Sequence, residues 1–382
     1  MRDYRLNDDD AAVLARFTKL CRDEIAPRAK ETERAGVFPA QNYARLVESG
    51  YLGMGHDEAF GGSGVPSPAL SVLMQERLGA ACASTYLATG ASCGLFGLPI
   101  SFFGSAAQKD RYLRPLLAGK LIGAFGLTEP HAGSDVQAMK TTAVKDGAGY
   151  RLNGEKLWIT NAPCCDAAVV FAKTDPSANW QGVSLFIVDK GMKGFSQGPP
   201  LDKLGFRGSP TGSLVFQDCY VEETRRVGDE GMGFIMAMQT LEYGRIGIAA
   251  LSIGIAAAAL DEGTRYVKER TAFGKPLSKF QDVAFKLSDI ATDIELARTL
   301  TIRAAEDKQK DGEARTLASM AKLFASEMCV RATDTVMQVM GANGYSEEFP
   351  VARLARDARL CPIGEGASAI QRMLIARDLF GE

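Results

Sequence analysis

Histidine is almost missing: His56 and His131 are the only imidazoles in 382 residues. A zinc centre or a histidine-based triad has few parts to draw on, and no metal site is expected. The eight cysteines (21, 82, 93, 164, 165, 219, 329 and 361) form no CxxC pair and no metal-ligand spacing. Disulfide frameworks belong to short secreted chains, so reduced, mostly buried thiols in a cytoplasmic protein are expected. Net charge is only −2 and basic residues form no block, which leaves no long-range field for nucleic acid or an anionic membrane. The longest apolar run, from Ile246 to Leu260, is too short to span a bilayer and fits a buried helix. Residues 1–5 lack an apolar h-region, so no signal peptide is expected.

Common nucleotide and metalloprotease signatures are also missing. There is no G-x-x-x-x-G-K-[ST], no G-x-G-x-x-G after a strand and no H-E-x-x-H. Gly90-Ala91-Ser92-Cys93-Gly94 formally matches the G-x-S-x-G nucleophile elbow. That elbow needs a preceding strand and a downstream histidine. Residues 80–89 are Ala-rich and helical in texture, and His131 is the only later imidazole, so a serine hydrolase is set aside.

What is present describes a soluble globular protein, with 46% hydrophobic and 24% charged residues and a length that predicts two or three domains. Residues 7–120 read as helices. Asn7 to Asp10 offer N-caps ahead of the stripe Val13, Leu14, Phe17 and Leu20. A helix over 40–49 ends at Gly50, 61–66 is a loop, and further helices are predicted over 67–88 and 106–118. From Leu121 to about residue 223, short runs rich in Val, Ile, Thr and aromatics alternate with Gly, Pro, Asn and Asp. This predicts a small antiparallel β-domain of hairpins. Helical periodicity then returns over 231–269, 278–308, 313–341 and 366–378, the pattern of an antiparallel bundle.

Three segments can carry chemistry. Glu365 sits in the small-residue turn Ile363-Gly364-Glu365-Gly366-Ala367-Ser368, where a carboxylate can be brought close against a ligand. Residues 125–135 pass from a strand into a small-residue loop, whose N–H groups and Thr128 and Ser134 hydroxyls can cradle a pyrophosphate or form an ordinary capped turn. Trp158 can pack beside a planar cofactor, with Thr160 on the same side of the strand, or fill a β-core.

Five motifs occur in order: residues 125–135, Trp158 to Asn161, Arg270-Thr271-Ala272-Phe273-Gly274, Gln338 to Tyr345, and the Glu365 turn. Together they closely resemble the acyl-CoA dehydrogenase family, in its short-chain-like branch. The resemblance implies a multidomain α and β fold with an N-terminal helical domain (1–120), a central β-barrel (121–228) and a C-terminal four-helix bundle (229–382). It further implies one FAD per subunit, a homotetramer built from dimers, and electron-transferring flavoprotein as electron acceptor.

Carried over by position, Phe125, Leu127, Thr128, Gly133 and Ser134 would line the flavin, with Ser134 also touching the CoA part of the substrate. Trp158, Ile159 and Thr160 would hold the isoalloxazine ring. Arg270, Phe273 and Gln281 would reach FAD across a dimer interface, Arg270 at the pyrophosphate, which suits a forked guanidinium. Gln338, Val339, Gly341 and Ala342 would meet the adenosine end, and Ala367, Ser368 and Ala369 would complete the flavin contacts. Glu242, Arg245 and Gly366 would lie beside an acyl-CoA substrate.

Glu365 would be the general base, taking the α-proton of the thioester while the β-hydrogen leaves as hydride to the flavin, giving a 2,3-enoyl thioester. One branch of the family carries its base on the long C-terminal-domain helix instead. The matching position here is Gly244, which supports Glu365. The turn departs from the family pattern: Gly364 replaces an aromatic, Ala367 a threonine and Ala369 a Glu or Gln, while Ala342 replaces a commoner glycine. These changes point to a branched or bulky acyl group, or one delivered on a carrier protein. An oxygen-using acyl oxidase of the same fold and a flavin-free scaffold are the alternatives.

Overall fold

The structure, a computed structural model, describes residues 6–381 apart from residue 313. Its first part is helical: α1 (Asp8–Leu20), α2 (Ala29–Ala35), α3 (Ala40–Glu48), α4 (Pro68–Ala81), α5 (Ala83–Thr89), α6 (Gly97–Phe103), α7 (Ala106–Gln108) and α8 (Arg114–Leu117). Asn7 caps α1, its side chain accepting the Asp10 N–H at 2.8 Å. The helix predicted over 67–88 breaks at Cys82, whose backbone is extended (φ −158°, ψ 99°). It then runs past its predicted end through a π-helical stretch, Gly90–Phe96, into α6. The wide π-turn accommodates a glycine-rich sequence that reads as a helix stop. Ser92 is buried there and its Oγ accepts the Gly123 N–H at 2.9 Å, so no nucleophile elbow forms.

Strands β1 (Gly123–Gly126), β2 (Thr142–Asp146), β3 (Gly149–Thr160), β4 (Ala167–Lys173), β5 (Val183–Asp189), β6 (Phe195–Gln197), β7 (Thr211–Glu222) and β8 (Arg226–Val227) form one sheet in the order β6-β7-β3-β2-β4-β5-β8, with β1 on β4. The predicted all-antiparallel domain needs correction, because β1 and β2 both pair with β4 in parallel. Parallel neighbours need a long connection, and residues 127–166, with the β2–β3 hairpin, supply it between β1 and β4.

The last part holds α9 (Gly233–Glu269), a hairpin of β9 (Thr271–Ala272) and β10 (Lys275–Pro276), then α10 (Gln281–Asp311), α11 (Arg315–Met340), α12 (Pro350–Ala358) and α13 (Ser368–Phe380). Helix α12 and the small hairpin were not foreseen. The end of α10 meets the start of α9, where Lys308 Nζ donates to Glu242 at 2.7 Å. A Cβ on Gly263 of α9 would stand 2.8 Å from Val336 of α11. Helices α9 and α11 therefore run parallel, with α10 antiparallel to both.

Alternation along β4 builds two cores. Ala167, Val169 and Phe171 face Ile100, Leu113, Leu116 and Met236 of the flanking helices. Ala168, Val170 and Ala172 face residues of β1, β3, β5 and β7, so the sheet curls over its own interior. The largest core joins α1, α4 and α5 to α9, α10, α11 and α12. N-terminal helices and C-terminal bundle are thus one packing unit, fastened by a buried bidentate contact from Arg298 to Glu76 at 2.8 and 2.9 Å.

By length and apolar content alone, residues 83–103 and α9 could cross a membrane, contrary to the expectation from the short apolar run. Of those windows, 56% and 78% are buried against the rest of the protein, so the apolar surface of α9 is largely spent on the bundle.

Candidate active site

The turn between α12 and α13 is wound from its own backbone: the Gly364 N–H donates to the Leu360 carbonyl at 2.9 Å and the Ser368 N–H to Pro362 at 3.0 Å. Winding this tightly puts Glu365 at φ +51° and Gly366 at φ +95°. A glutamate in the left-handed region costs on the order of 1–3 kcal/mol and persists only where its surroundings impose it. Here two helices do so. Lys322 of α11 donates to the Gly366 carbonyl at 2.7 Å, and Gln371 of α13 donates to the same oxygen at 2.9 Å.

The Glu365 side chain points at α9, where position 244 is glycine; a Cβ there would overlap the carboxylate. Oε2 is sealed from solvent and has no protein hydrogen-bond partner. Burial pushes this carboxyl up to about 7, against the opposing charges of Lys322 and Arg245. A buried carboxylate poised near neutrality, with an orphaned oxygen, is suited to receiving a proton from a bound molecule.

Arg245 is 6% exposed and its buried Nε lacks a partner. Burial pulls its guanidinium below the usual value, partly offset by Glu242 and Glu365. Arg245 thus lies within charge range of Glu365. Glu242, one turn away, makes a buried ion pair with Lys308 at 2.7 Å. On α5, Tyr86 donates to Gln75 at 2.7 Å, and its hydroxyl lies where a Cβ on Gly247 would come within 2.7 Å. One turn of α9 separates Gly247 from Gly244, so Tyr86 and Glu365 lie over one glycine-lined groove.

The same α5 ties in the β-domain, for Asn161 at the end of β3 donates to the Ala88 carbonyl at 2.9 Å and to Gly123 at 3.1 Å. Just before it, a register shift between Lys156 and Ile159 makes a β-bulge, with Trp158 at φ +61°. Bulges re-aim side chains, and Trp158 ends 59% exposed rather than in the sheet core. Beside it, the Leu157 N–H donates to the Thr128 carbonyl at 2.9 Å. The loop carrying Thr128 is pinned by a buried pair, Lys156 to Glu129 at 2.7 Å, while Glu129 also accepts the Lys140 and Thr141 N–H groups at 2.6 and 3.0 Å. Burial works against the Glu129 carboxylate, but Lys156 and these donors outweigh it and hold it below the usual range.

These residues fit a flavin: an indole face aimed outward by strained backbone, half-buried hydroxyls at Thr128 and Thr160, and open backbone at Gly133, where a Cβ would meet nothing within 4 Å. Phe125 packs edge-on against Phe171 at 5.0 Å, and Leu127 and Ile159 are buried in the cores, so these three can offer a ligand only backbone groups. Ser134 is exposed on the loop, and Gly366, Ala367, Ser368 and Ala369 follow Glu365 directly.

The remaining expected cofactor residues lie elsewhere. Arg270, Phe273 and Gln281 are exposed at the far end of α9, Phe273 to 95%. Asn343 donates to Tyr266 at 2.9 Å, which places Gln338, Val339, Gly341 and Ala342 at that same end. From Gly247 to Arg270 is about 35 Å along the helix. One chain therefore does not bring the two groups together.

Sequence reasoning missed Lys322, Gln371, Tyr86 and the Glu129–Lys156 pair. A lysine amid the alanines of α11, at positions 318, 321 and 325, was the available signal. His56 is buried, its Nε2 3.1 Å from the Cys93 carbonyl, and burial lowers it to about 4. Among the described residues no cluster of three or more His, Cys, Asp or Glu could hold a metal.

The chain matches the acyl-CoA dehydrogenase N-terminal domain over residues 7–120, the middle domain over 124–219 and the C-terminal domain over 231–380. It is 41% identical to a probable acyl-CoA dehydrogenase, YngJ, of Bacillus subtilis, over 99% of both chains. Butyryl-CoA dehydrogenase of Megasphaera elsdenii superposes with a TM-score of 0.95 at 40% identity, covering 99% of this chain and 100% of the other. A chain from the structure of an electron transferring flavoprotein of Acidaminococcus fermentans superposes with a TM-score of 0.96 at 38% identity, covering all of both chains. With the three-domain architecture and a site that fits a flavin beside a buried carboxyl, the chain belongs to the acyl-CoA dehydrogenase family, as an FAD-dependent oxidoreductase acting on a CH–CH group.

Proposed function

We propose that this protein converts a short acyl-CoA thioester to its 2,3-enoyl thioester, with Glu365 as the base that removes the α-proton. The observation that carries this reading is the buried, unpartnered Oε2 of a carboxyl held near neutrality. FAD, held by Thr128, Ser134, Trp158 and Thr160, would supply the two-electron acceptor for the β-hydrogen. The thioester carbonyl acidifies the α-C–H, and the Glu365 N–H, set by the left-handed turn, is the chain's own donor to the developing oxyanion. Arg245 orients the thioester beside the base.

Glu365→Gln tests the assignment. It should lower turnover by about 10²- to 10⁴-fold while leaving the bound-flavin spectrum unchanged; full activity would overturn it. In the parent, kcat/KM should rise with pH through about 7, because only the carboxylate form can accept the proton.

The other parts of this reading have their own support. The Acidaminococcus structure favours an electron-transferring flavoprotein as acceptor. A homotetramer is supported by the exposed apolar side chains Phe273, Phe285, Leu296, Tyr345, Leu379 and Phe380. Eight unpaired cysteines favour a reducing compartment such as the cytoplasm.

A second reading concerns the acyl group. A Cβ at Gly364 would meet only Leu360, at 3.7 Å or beyond. A side chain would fit there in ordinary contact, so its absence from Gly364 leaves room that favours a branched, bulky or carrier-bound acyl chain. Rates on butyryl, isobutyryl and cyclic acyl thioesters decide it, a clear preference for butyryl counting against it.

A further inference from the structure

We propose that Lys322 is the positioning residue of this site: it fixes the turn that presents Glu365 and supplies the counter-charge of its carboxyl. This rests on Glu365 being the base.

Lys322 is fully buried in α11. An ammonium in such a place is costly unless it is paired or hydrogen-bonded. Its hydrogen bond goes to the main chain, to the carbonyl of the residue immediately after Glu365. Gln371 reaches the same oxygen from the opposite helix. Together they orient the peptide that follows Gly366, and with it the two left-handed residues that aim the carboxylate at Gly244. Glu365 at φ +51° occupies a costly region for a residue with a side chain, and the doubly held Gly366 carbonyl helps to keep it there.

Charge supports the same role. Facing Glu365 are Lys322 from α11, Arg245 from α9 and the Tyr86 hydroxyl from α5. Facing Lys322 are Cys361 and Glu365 from the segment after α12, Arg245 from α9 and Glu327 from its own helix. Of the two cations near the carboxyl, Lys322 opposes its protonation more strongly. Arg245 instead keeps a buried Nε unpartnered and available to substrate. Burial brings Lys322 down to about 8, against the pull of Cys361 and Glu365.

The test uses the holoenzyme and three variants. Lys322→Met removes charge and donor, Lys322→Gln keeps a donor without charge, and Lys322→Arg keeps the charge. The readouts are the pH profile of kcat/KM and the Glu365 carboxyl stretch, taken from infrared difference spectra against Glu365→Gln. The inference expects the acidic limb and the infrared titration to move up together by about one unit or more in the Met and Gln variants. Lys322→Arg should hold both near the parent position. A merely structural lysine would lower thermal stability and leave both titrations in place, and that result overturns the inference. If Lys322→Met does not fold, Lys322→Gln decides alone. Should Glu365→Gln keep full activity, the base assignment itself falls; if it is inactive and the lysine variants titrate like the parent, only the role of Lys322 falls.

Discussion

The Glu365 carboxylate occupies the space that a side chain on Gly244 would need. The two positions therefore exclude one another: a residue larger than glycine at 244 and a carboxylate seated at 365 cannot share this groove. Gly244→Ala should displace the Glu365 carboxylate while leaving the helix intact, since alanine is the better helix former. A misplacement of about 1 Å can cost roughly a hundredfold in rate. Turnover should fall on that order with the melting temperature unchanged or raised. Undiminished turnover would mean that the carboxylate works from another position.

Trp158 is held outward by a strained bulge and contributes little to the sheet core. Trp158→Ala should weaken FAD binding roughly tenfold, the worth of one aromatic contact, with little loss of fold stability. Titrating the apoprotein with FAD and comparing melting curves separates these effects. A large stability loss at unchanged affinity would return the indole to a structural role.

Glu129 and Lys156 are both buried, at 6% and 0% exposure. Removing one partner strands the other charge, so Glu129→Ala should cost about 3–5 kcal/mol in denaturant unfolding. Flavin retention should drop as well, because the loop bearing Thr128 loses its anchor. A cost below about 1 kcal/mol would show that water reaches Lys156.

Asp357, in α12, accepts the Phe206 N–H at 2.6 Å. Burial and the charge of Glu33 push its carboxyl from 3.8 up to about 7, against that hydrogen bond and the charges of Arg353 and Arg356. The folded state thus holds the proton more tightly than the unfolded chain. The resulting stabilisation is full below pH 3.8 and is lost as pH rises through about 7. Asp357→Asn, which keeps an acceptor for Phe206, should gain on the parent in melting temperature steadily across that window. A constant difference at every pH would contradict the assignment.

The order of helices, sheet and helices was legible because periodicity survives in long segments: the stripe before Leu20 and the Val- and Ile-rich runs of β4 and β5 name their own elements. Breaks were harder to read. Gly90, Gly94 and Gly97 look like a helix stop, yet packing against the sheet carries the helix through them on a π-turn. The turn around Glu365 was visible as a motif, but its controls were not. Lys322 is 43 positions away in sequence, and hydrogen bonds to main-chain carbonyls leave no pattern in residue types. Which of the residues carried over by position offer side chains and which only backbone was not legible, because a motif records position while packing decides how Phe125, Leu127 and Ile159 face.

Helix α9 carries the Glu365 groove near one end and the exposed Arg270 and Phe273 at the other. If each complete site takes its base from one subunit and its Arg270 from a neighbour, two inactive proteins can repair each other. A subunit lacking Glu365 and a subunit lacking Arg270, folded together, would form one site with both lesions and one with neither. Their mixed assemblies would regain part of the activity that each homogeneous population lacks. Defects at the two ends of this helix would then behave genetically as separate complementation groups within a single gene.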